Sequence, residues 1–245
     1  MLPQKTFLTK DCALYESDFD VTGDVKPHRV MELMQDVATT HADELGFGWD
    51  YMDKNGLFWI ISKVKIVFTK PVTRRVRNFR LYTWPIKANK FFIERRFAAV
   101  DENGDELFCC TTLWMIVERD TRRIAGPKTI AEYYVADFDD TAVGASTDFA
   151  RIKRDETFSL QYEREIKRTD LDINRHVNNT NYVNFAMDVL TDCDKIDGIE
   201  IVYHKELKLG DALKVFAKRE ADVAYVVGER ANETCFTAKL ALRKD

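Results

Sequence analysis

Three features of this sequence predict an α+β fold, built as two helix-wrapped antiparallel sheets joined edge to edge. The first is order. An amphipathic helical stripe precedes a series of short apolar, β-branched runs, and that order then recurs. The second is a repeat in register. Ser17–Val37 can be written above Thr169–Val189 without a gap, at an offset of 152, with five identical positions. Their apolar stripes coincide: Val30 lies over Tyr182, Leu33 over Phe185, Met34 over Ala186 and Val37 over Val189. The third is the match of Ile66–Lys70 (IVFTK) to Ile201–Lys205 (IVYHK) at an offset of 135. The second copy is therefore 17 residues shorter between its helix and its first long strand.

Residues 27–45 place Val30, Leu33, Met34, Val37, Ala38, His41 and Leu45 on one helical face, and Gly46 can end that helix. Strands follow. Leu57–Phe68 is apolar and β-branched, and its Lys63 and Lys65 imply one solvated or pocket-facing side. Asn78–Trp84 alternates. Phe91–Val100 and Leu107–Val117 flank Asp101–Asp105, whose Asn103-Gly104 pair is a strong hairpin signal. Residues 120–150 lack such patterning and read as a connector, with Gly126-Pro127, Asp137-Phe138-Asp139-Asp140 and Gly144–Thr147. Tyr182, Phe185, Ala186, Val189 and Leu190 form the second helical stripe. Ile199–Lys205, Ala212–Ala217, Val223–Gly228 and Cys235–Leu242 are its strands, with a turn at Asn232-Glu233. The expected units are 1–130, a connector 131–155, and 156–245.

Composition narrows the function. At 45% hydrophobic and 32% charged, the 245 residues can build a real core. With 37 basic against 41 acidic residues, the chain lacks the basic excess of a general nucleic-acid binder. No apolar run approaches the roughly 18 residues of a membrane span. No apolar signal-peptide core opens the chain, so a cytoplasmic protein is expected. No Gly-rich phosphate cradle appears. The five cysteines, Cys12, Cys109, Cys110, Cys193 and Cys235, form no C-x-x-C pair and no metal-ligand spacing with histidine. Reduced, buried thiols are expected, with neither metal nor cofactor.

The richest polar segment is Thr169–Asn179, just before the second helical stripe. Asp172, Asn174 and His176 are spaced two apart. In extended chain they share one side at about 6–7 Å per step. Asp172 and His176 would then be too far apart to bond and would line a track, unless the loop bends. Asn178 or Asn179 suits the helix N-cap, and the helix-start N–H groups can polarise a carbonyl oxygen. The plain alternative is a polar capping loop with a structural histidine.

The segment DLDINRHVNNTNY, Asp170–Tyr182, resembles the D-x-N-x-H-x-N-N motif of the acyl-acyl carrier protein thioesterases, which have a double hotdog fold. The resemblance runs from about Thr6 to Leu242 and includes Gly56–Phe68 (GLFWIISKVKIVF) in the first half. Tyr203-His204-Lys205-Glu206 resembles the family's second motif, an aromatic–basic–Glu stretch on the following strand. It implies that Asp172, Asn174, His176 and Glu206 form the catalytic network. In plant members a cysteine follows the glutamate. Here Leu207 does, which excludes a cysteine nucleophile at that position. With no plastid transit segment in front, the chain looks like a bacterial member.

The resemblance implies hydrolysis of a fatty acyl group from the phosphopantetheine of an acyl carrier protein. The repeat argues separately for one site, because the first copy carries Asp20, Thr22, Asp24 and Pro71 in the four slots. The first half is then free to shape the acyl pocket, with Trp59, Met31 and Met34 as candidate tunnel residues. Arg74-Arg75-Val76-Arg77, Arg122-Arg123 and Arg151-Ile152-Lys153-Arg154 are candidate docking runs for an acidic carrier.

An acyl-CoA thioesterase is the nearest rival. A hotdog enoyl-thioester hydratase has its Asp and His five apart, with a proline after the Asn. Here the spacing is four and Arg175 follows Asn174. A non-catalytic acyl-carrier-binding module fits poorly with four polar groups kept in one copy. A homodimer of chains stays open.

Overall fold

The two copies follow one plan in the computed structural model, which describes residues 7–86, 91–130 and 145–244. In the first copy, β1 (Leu8–Ala13) passes through a three-ten turn at Glu16–Asp18 into α1 (Pro27–Glu44) and α2 (Trp49–Lys54). Then come β2 (Leu57–Phe68), β3 (Asn78–Pro85), β4 (Ile93–Val100) and β5 (Glu106–Glu118). In the second copy, β6 (Ser159–Glu165) leads through a three-ten turn at Arg168–Asp170 into α3 (Asn179–Met187). β7 (Ile196–Tyr203), β8 (Ala212–Glu220), β9 (Val223–Arg230) and β10 (Glu233–Leu242) complete it. All ten strands form one antiparallel sheet in the order β1-β3-β4-β5-β2-β7-β10-β9-β8-β6.

The sequence signals act as expected at most places. Pro27 sits at the first helical position, where its missing N–H costs nothing. The α1 stripe from Val30 to His41 is buried, and Gly46 follows the helix at φ +87°. Between β4 and β5, Gly104 takes φ +85° while Asp101 Oδ1 accepts the N–H groups of Asn103 and Asp105, each at 2.9 Å. Ala231 and Asn232 both have positive φ and close the β9–β10 hairpin.

Some expectations are corrected. β1 and β6 were not anticipated. They are the two edge strands and most of their residues are only partly covered, so no apolar alternation announces them. The second helix ends at Met187, which leaves Val189 and Leu190 beyond it. Of the cysteines, Cys12, Cys109, Cys110 and Cys235 are buried free thiols, whereas Cys193 is exposed. Burial pushes the Cys109 thiol up to about 11. Residues 131–144 of the expected connector lie outside the described residues.

The halves meet where β2 pairs with β7. Lys65 faces Glu200 in register, and these two are equivalent positions at the repeat offset of 135. They therefore lie on the pseudo-twofold axis, where identical halves would set like against like. Here opposite charges meet, Lys65 Nζ to Glu200 Oε1 at 3.2 Å, with Lys65 buried. Gly198 allows the close approach, since a Cβ there would sit 2.8 Å from the Ile66 carbonyl oxygen.

The lysine face of β2 is only partly solvated: Lys63 is half-buried and Val67 exposed, but Lys65 is buried. The chain's own segment after residue 144 covers it. Ala145 O accepts from Thr111 Oγ1, Asp148 O accepts from Lys65 Nζ, and Ala150 N donates to Glu200 Oε2 at 2.9 Å. The Phe149 ring lies under Lys63 and Lys65, at 5.3 and 5.1 Å.

On the other face, Val64, Ile66, Ile199 and Ile201 join α1 and α3 in one core. Each such fully buried side chain contributes about 1.5–3 kcal/mol. Met31 and Met34 are part of this core. Trp59 packs on a smaller cluster with Phe47, Met52 and Ile116.

Candidate active site

The segment Asp172–His176 is a tight turn, not an extended track. Asp172 N donates to His176 O at 2.8 Å, and Arg175 N donates to Asp172 O at 3.1 Å. Arg175 takes φ +63°, the left-handed region. Asp172 turns its carboxylate onto its own loop. Its Oδ1 accepts from Asn174 N at 2.8 Å and from His176 N at 3.3 Å. Asp172 is thus an organiser of the loop. Asn174 is exposed, with Nδ2 at 3.5 Å from Asp172 Oδ2. Asn178 is the N-cap of α3, its side chain accepting from Thr180 N at 3.0 Å.

Glu206 lies in the β7–β8 loop and is exposed, not on the strand itself. The strand ends because His204 N and Lys205 N both donate to Cys235 O, which breaks the ladder. The chain then turns toward the helix. Val177 N donates to Leu207 O at 2.9 Å, and Leu207 N donates to the Tyr182 hydroxyl at 3.0 Å. The Tyr203 hydroxyl donates to Asn179 O at 3.0 Å. Those bonds bring His176 and Glu206 together, with Nε2 and Oε2 3.2 Å apart. All four expected residues therefore gather around one helix start, although only the His176–Glu206 pair joins side chains across the two loops.

Three residues at this site were not assigned to it from sequence. Tyr182 ends the Asp170–Tyr182 motif and is a position of the apolar stripe, with no role given to its hydroxyl, yet that hydroxyl fixes the Glu206 loop. Arg230 Nη1 donates to Glu206 O at 3.2 Å. Arg122 reaches in from the other half, with Nη1 3.6 Å from Glu206 Oε1 and its guanidinium over the Phe58 ring at 5.1 Å. Arg122 and Glu206 are each about half exposed, so their pairing is worth little on its own.

The equivalent loop of the first half repeats the backbone bond for bond. Asp20 N donates to Asp24 O at 2.8 Å, Gly23 N donates to Asp20 O at 3.1 Å, and Asp20 Oδ1 accepts from Thr22 N at 2.8 Å. Gly23 takes φ +83° where Arg175 stands in the second copy. Here, however, Asp24 is held by Arg243 Nη1 at 2.7 Å, and Arg243 Nε holds Asp197 at 2.7 Å. Only about 10 Å³ of free space remains beside this loop. A larger cleft, about 380 Å³, opens between Val189-Leu190 and the β8 residues Ala217–Glu220. It is lined by none of the four site residues. Among the described residues no group of three or more His, Cys, Asp or Glu side chains is set to hold a metal ion, and no helix is long and apolar enough to cross a membrane.

One chain carrying two helix-wrapped sheets fused edge to edge, with a His176–Glu206 pair at the start of α3 and an Asp24–Arg243 pair at the equivalent place in the first copy, defines a double hotdog protein whose two helix starts differ. The chain belongs to the acyl-ACP thioesterase family: the family's N-terminal domain matches residues 5–137 and its C-terminal domain residues 152–244.

A chloroplastic acyl-[acyl-carrier-protein] hydrolase of Cuphea viscosissima, FATB2, is 25% identical over 185 residues, covering 71% of this chain and 44% of the relative. Oleoyl-acyl carrier protein thioesterase 1 of Arabidopsis thaliana is 22% identical over 241 residues, covering 90% of this chain and 65% of the relative. The chain thus spans about half to two thirds of these relatives' length. In fold it is similar to an acyl-ACP thioesterase from Bacteroides thetaiotaomicron, at TM-score 0.84 and 21% identity, covering 97% of this chain and 98% of that one. It is also similar to the 12:0-ACP thioesterase from Umbellularia californica, at TM-score 0.81 and 19% identity, with 98% of each chain covered.

Proposed function

We propose that the chain hydrolyses a fatty acyl-acyl carrier protein to the free fatty acid and the unloaded carrier, with its catalytic site in residues 156–245. The observation that carries this reading is the 3.2 Å contact of His176 Nε2 with Glu206 Oε2 in one copy only, at the start of α3. The thioester carbonyl is held by the Asn174 side chain and by backbone N–H at the helix start, where oxyanion charge develops. His176, oriented by Glu206, takes a proton from the attacking water and returns it to the leaving thiolate. Asp172 fixes the turn that aims Asn174 and His176. The first half, residues 1–130, shapes the acyl pocket.

A carboxylate attack through an anhydride is the alternative route. Glu206 is the better candidate for it, because Asp172 is already engaged by two backbone N–H groups. Labelled solvent oxygen found in an enzyme carboxylate after single turnover would favour this route, and its absence would remove it.

The deciding experiment compares acyl-carrier protein with acyl-CoA at matched chain length and follows thiol release. A clear preference for the carrier substrate supports the proposal. Preference for acyl-CoA makes the chain an acyl-CoA thioesterase, and hydration of a crotonyl thioester without thiol release makes it a hydratase.

A further inference from the structure

We propose that the acidic carrier domain docks on the rim of the His176 site, on the cations Arg123, Arg175 and Lys208, with Ile173 and Leu209 as apolar contacts. This rests on the thioesterase reading above and names the surface it requires. All five lie within three residues of a group in the site. Arg123 follows Arg122, which reaches Glu206. Ile173 and Arg175 flank Asn174 in the turn, and the bridge between His176 and Lys208 ties the two loops together. Among the described residues, none of the three cations is held in an ion pair, so each is free to meet an incoming anion.

Exposure of the apolar tip alone says nothing. Ile173 is 92% exposed, but its counterpart Val21 in the closed copy is 78% exposed. Charge separates the two. Asp20–Asp24 carries two carboxylates and no cation, whereas Asp172–His176 carries one carboxylate, Arg175 and His176. Exposed apolar side chains on loops that also carry unpaired cations suit an interface for an acidic partner.

The other two basic runs fit worse. Arg74 and Arg77 are both tied to Glu16, beside the closed loop. Arg154 is bonded to Glu229 at 2.8 Å and stacked on Phe216. Its neighbour Arg151 follows Ala150, which sits on Glu200 on the sheet face opposite the helices. A carrier bound at either run delivers its thioester to the wrong loop or the wrong face.

The test uses the whole chain, an acyl-carrier protein, and the same acyl group on free pantetheine. Arg123→Glu/Lys208→Glu should lower kcat/KM for the carrier substrate by about tenfold or more, through KM, and leave the pantetheine thioester within about twofold. Added salt should weaken the wild-type carrier reaction and not the small-substrate reaction. Arg75→Glu and Arg151→Glu/Lys153→Glu should do little. A larger loss from either of these reversals overturns the proposal. So does equal loss on both substrates in a rim variant whose melting temperature is unchanged. A wild-type chain that cleaves neither substrate removes the thioesterase reading itself. One that cleaves both with no salt-sensitive preference removes only the docking surface.

Discussion

In the first half, Asp20 Oδ1 holds the Thr22 N–H at 2.8 Å; in the second, Asp172 Oδ1 holds the Asn174 N–H at the same distance. The turn closes on the same backbone bond at 2.8 Å in both. What differs is what stands at the fifth position. Asp24 meets an arginine of the opposite half, whereas His176 meets Glu206 of its own half. The aspartate belongs to the fold, since both copies need it to make the turn. On the mechanism proposed above, the chemistry belongs to the three slots where the copies diverge. Asp172, held by two backbone N–H groups of its own turn, takes the part of a scaffold residue in that proposal and not of a reacting group.

The sharpest break of this comparison is His176→Ala against Asp24→Ala. Loss of the base should lower kcat by about 10²–10⁴. Asp24→Ala should leave kcat near wild type and lower the melting temperature, because Arg243 loses one of its two carboxylate partners. A kcat collapse in folded Asp24→Ala would mean that the closed loop takes part in turnover.

The seam offers the next test. Glu200→Lys places two lysines on the pseudo-twofold axis and leaves buried Lys65 without its carboxylate partner, which should destabilise the chain by about 3–5 kcal/mol. Lys65→Glu/Glu200→Lys restores opposite charges, and denaturant melts should show recovery of part of that loss. No recovery in the double variant would mean that the surroundings, Ala150 and Asp148 among them, read each charge separately.

A smaller effect separates the shared aspartates. Asp172→Ala frees the N–H groups of Asn174 and His176 and should lower kcat by about 10², the scale of a misplaced catalytic group. Asp20→Ala should cost about 1 kcal/mol of stability, the scale of a lost local cap, with kcat unchanged. Equal loss of activity in the two folded variants would make both halves catalytic.

Much of this was legible in the sequence. The offsets of 152 and 135 carry the pseudo-twofold axis, and the apolar stripes carry α1 and α3 but not the short α2. Less legible was the bend at Asp172–His176. Alternation of Asp172, Asn174 and His176 reads as extended chain, because a side-chain period of two is all that spacing conveys. The bend was nevertheless written in the repeat, where Gly23 lies over Arg175 and marks a left-handed position. Glu206 reads as strand because it directly follows the expected strand Ile199–Lys205. Its exit from the strand depends on two N–H groups sharing one distant carbonyl, which no local pattern reveals.

That left-handed position supports the smallest and most direct test. An L-residue with a side chain at φ +63° costs about 1–2 kcal/mol relative to the right-handed helical region, and glycine pays none of it. Glycine loses more freedom on folding, so the net gain from Arg175→Gly should be about 1 kcal/mol or less. Gly23→Arg should cost a similar amount, because a Cβ at Gly23 meets nothing within 4 Å and only the backbone is strained. For a chain of this size, 1 kcal/mol moves the melting temperature by about 2–4 °C, so calorimetry should show two shifts of similar size and opposite sign. A Gly23→Arg loss several times larger than the Arg175→Gly gain would mean that the two turns are alike in outline but not in strain. If the shifts do match, the second copy has kept a side chain where the fold prefers none. A local rule broken at the rim of the site, and respected in the closed loop, is where function is expected to override stability.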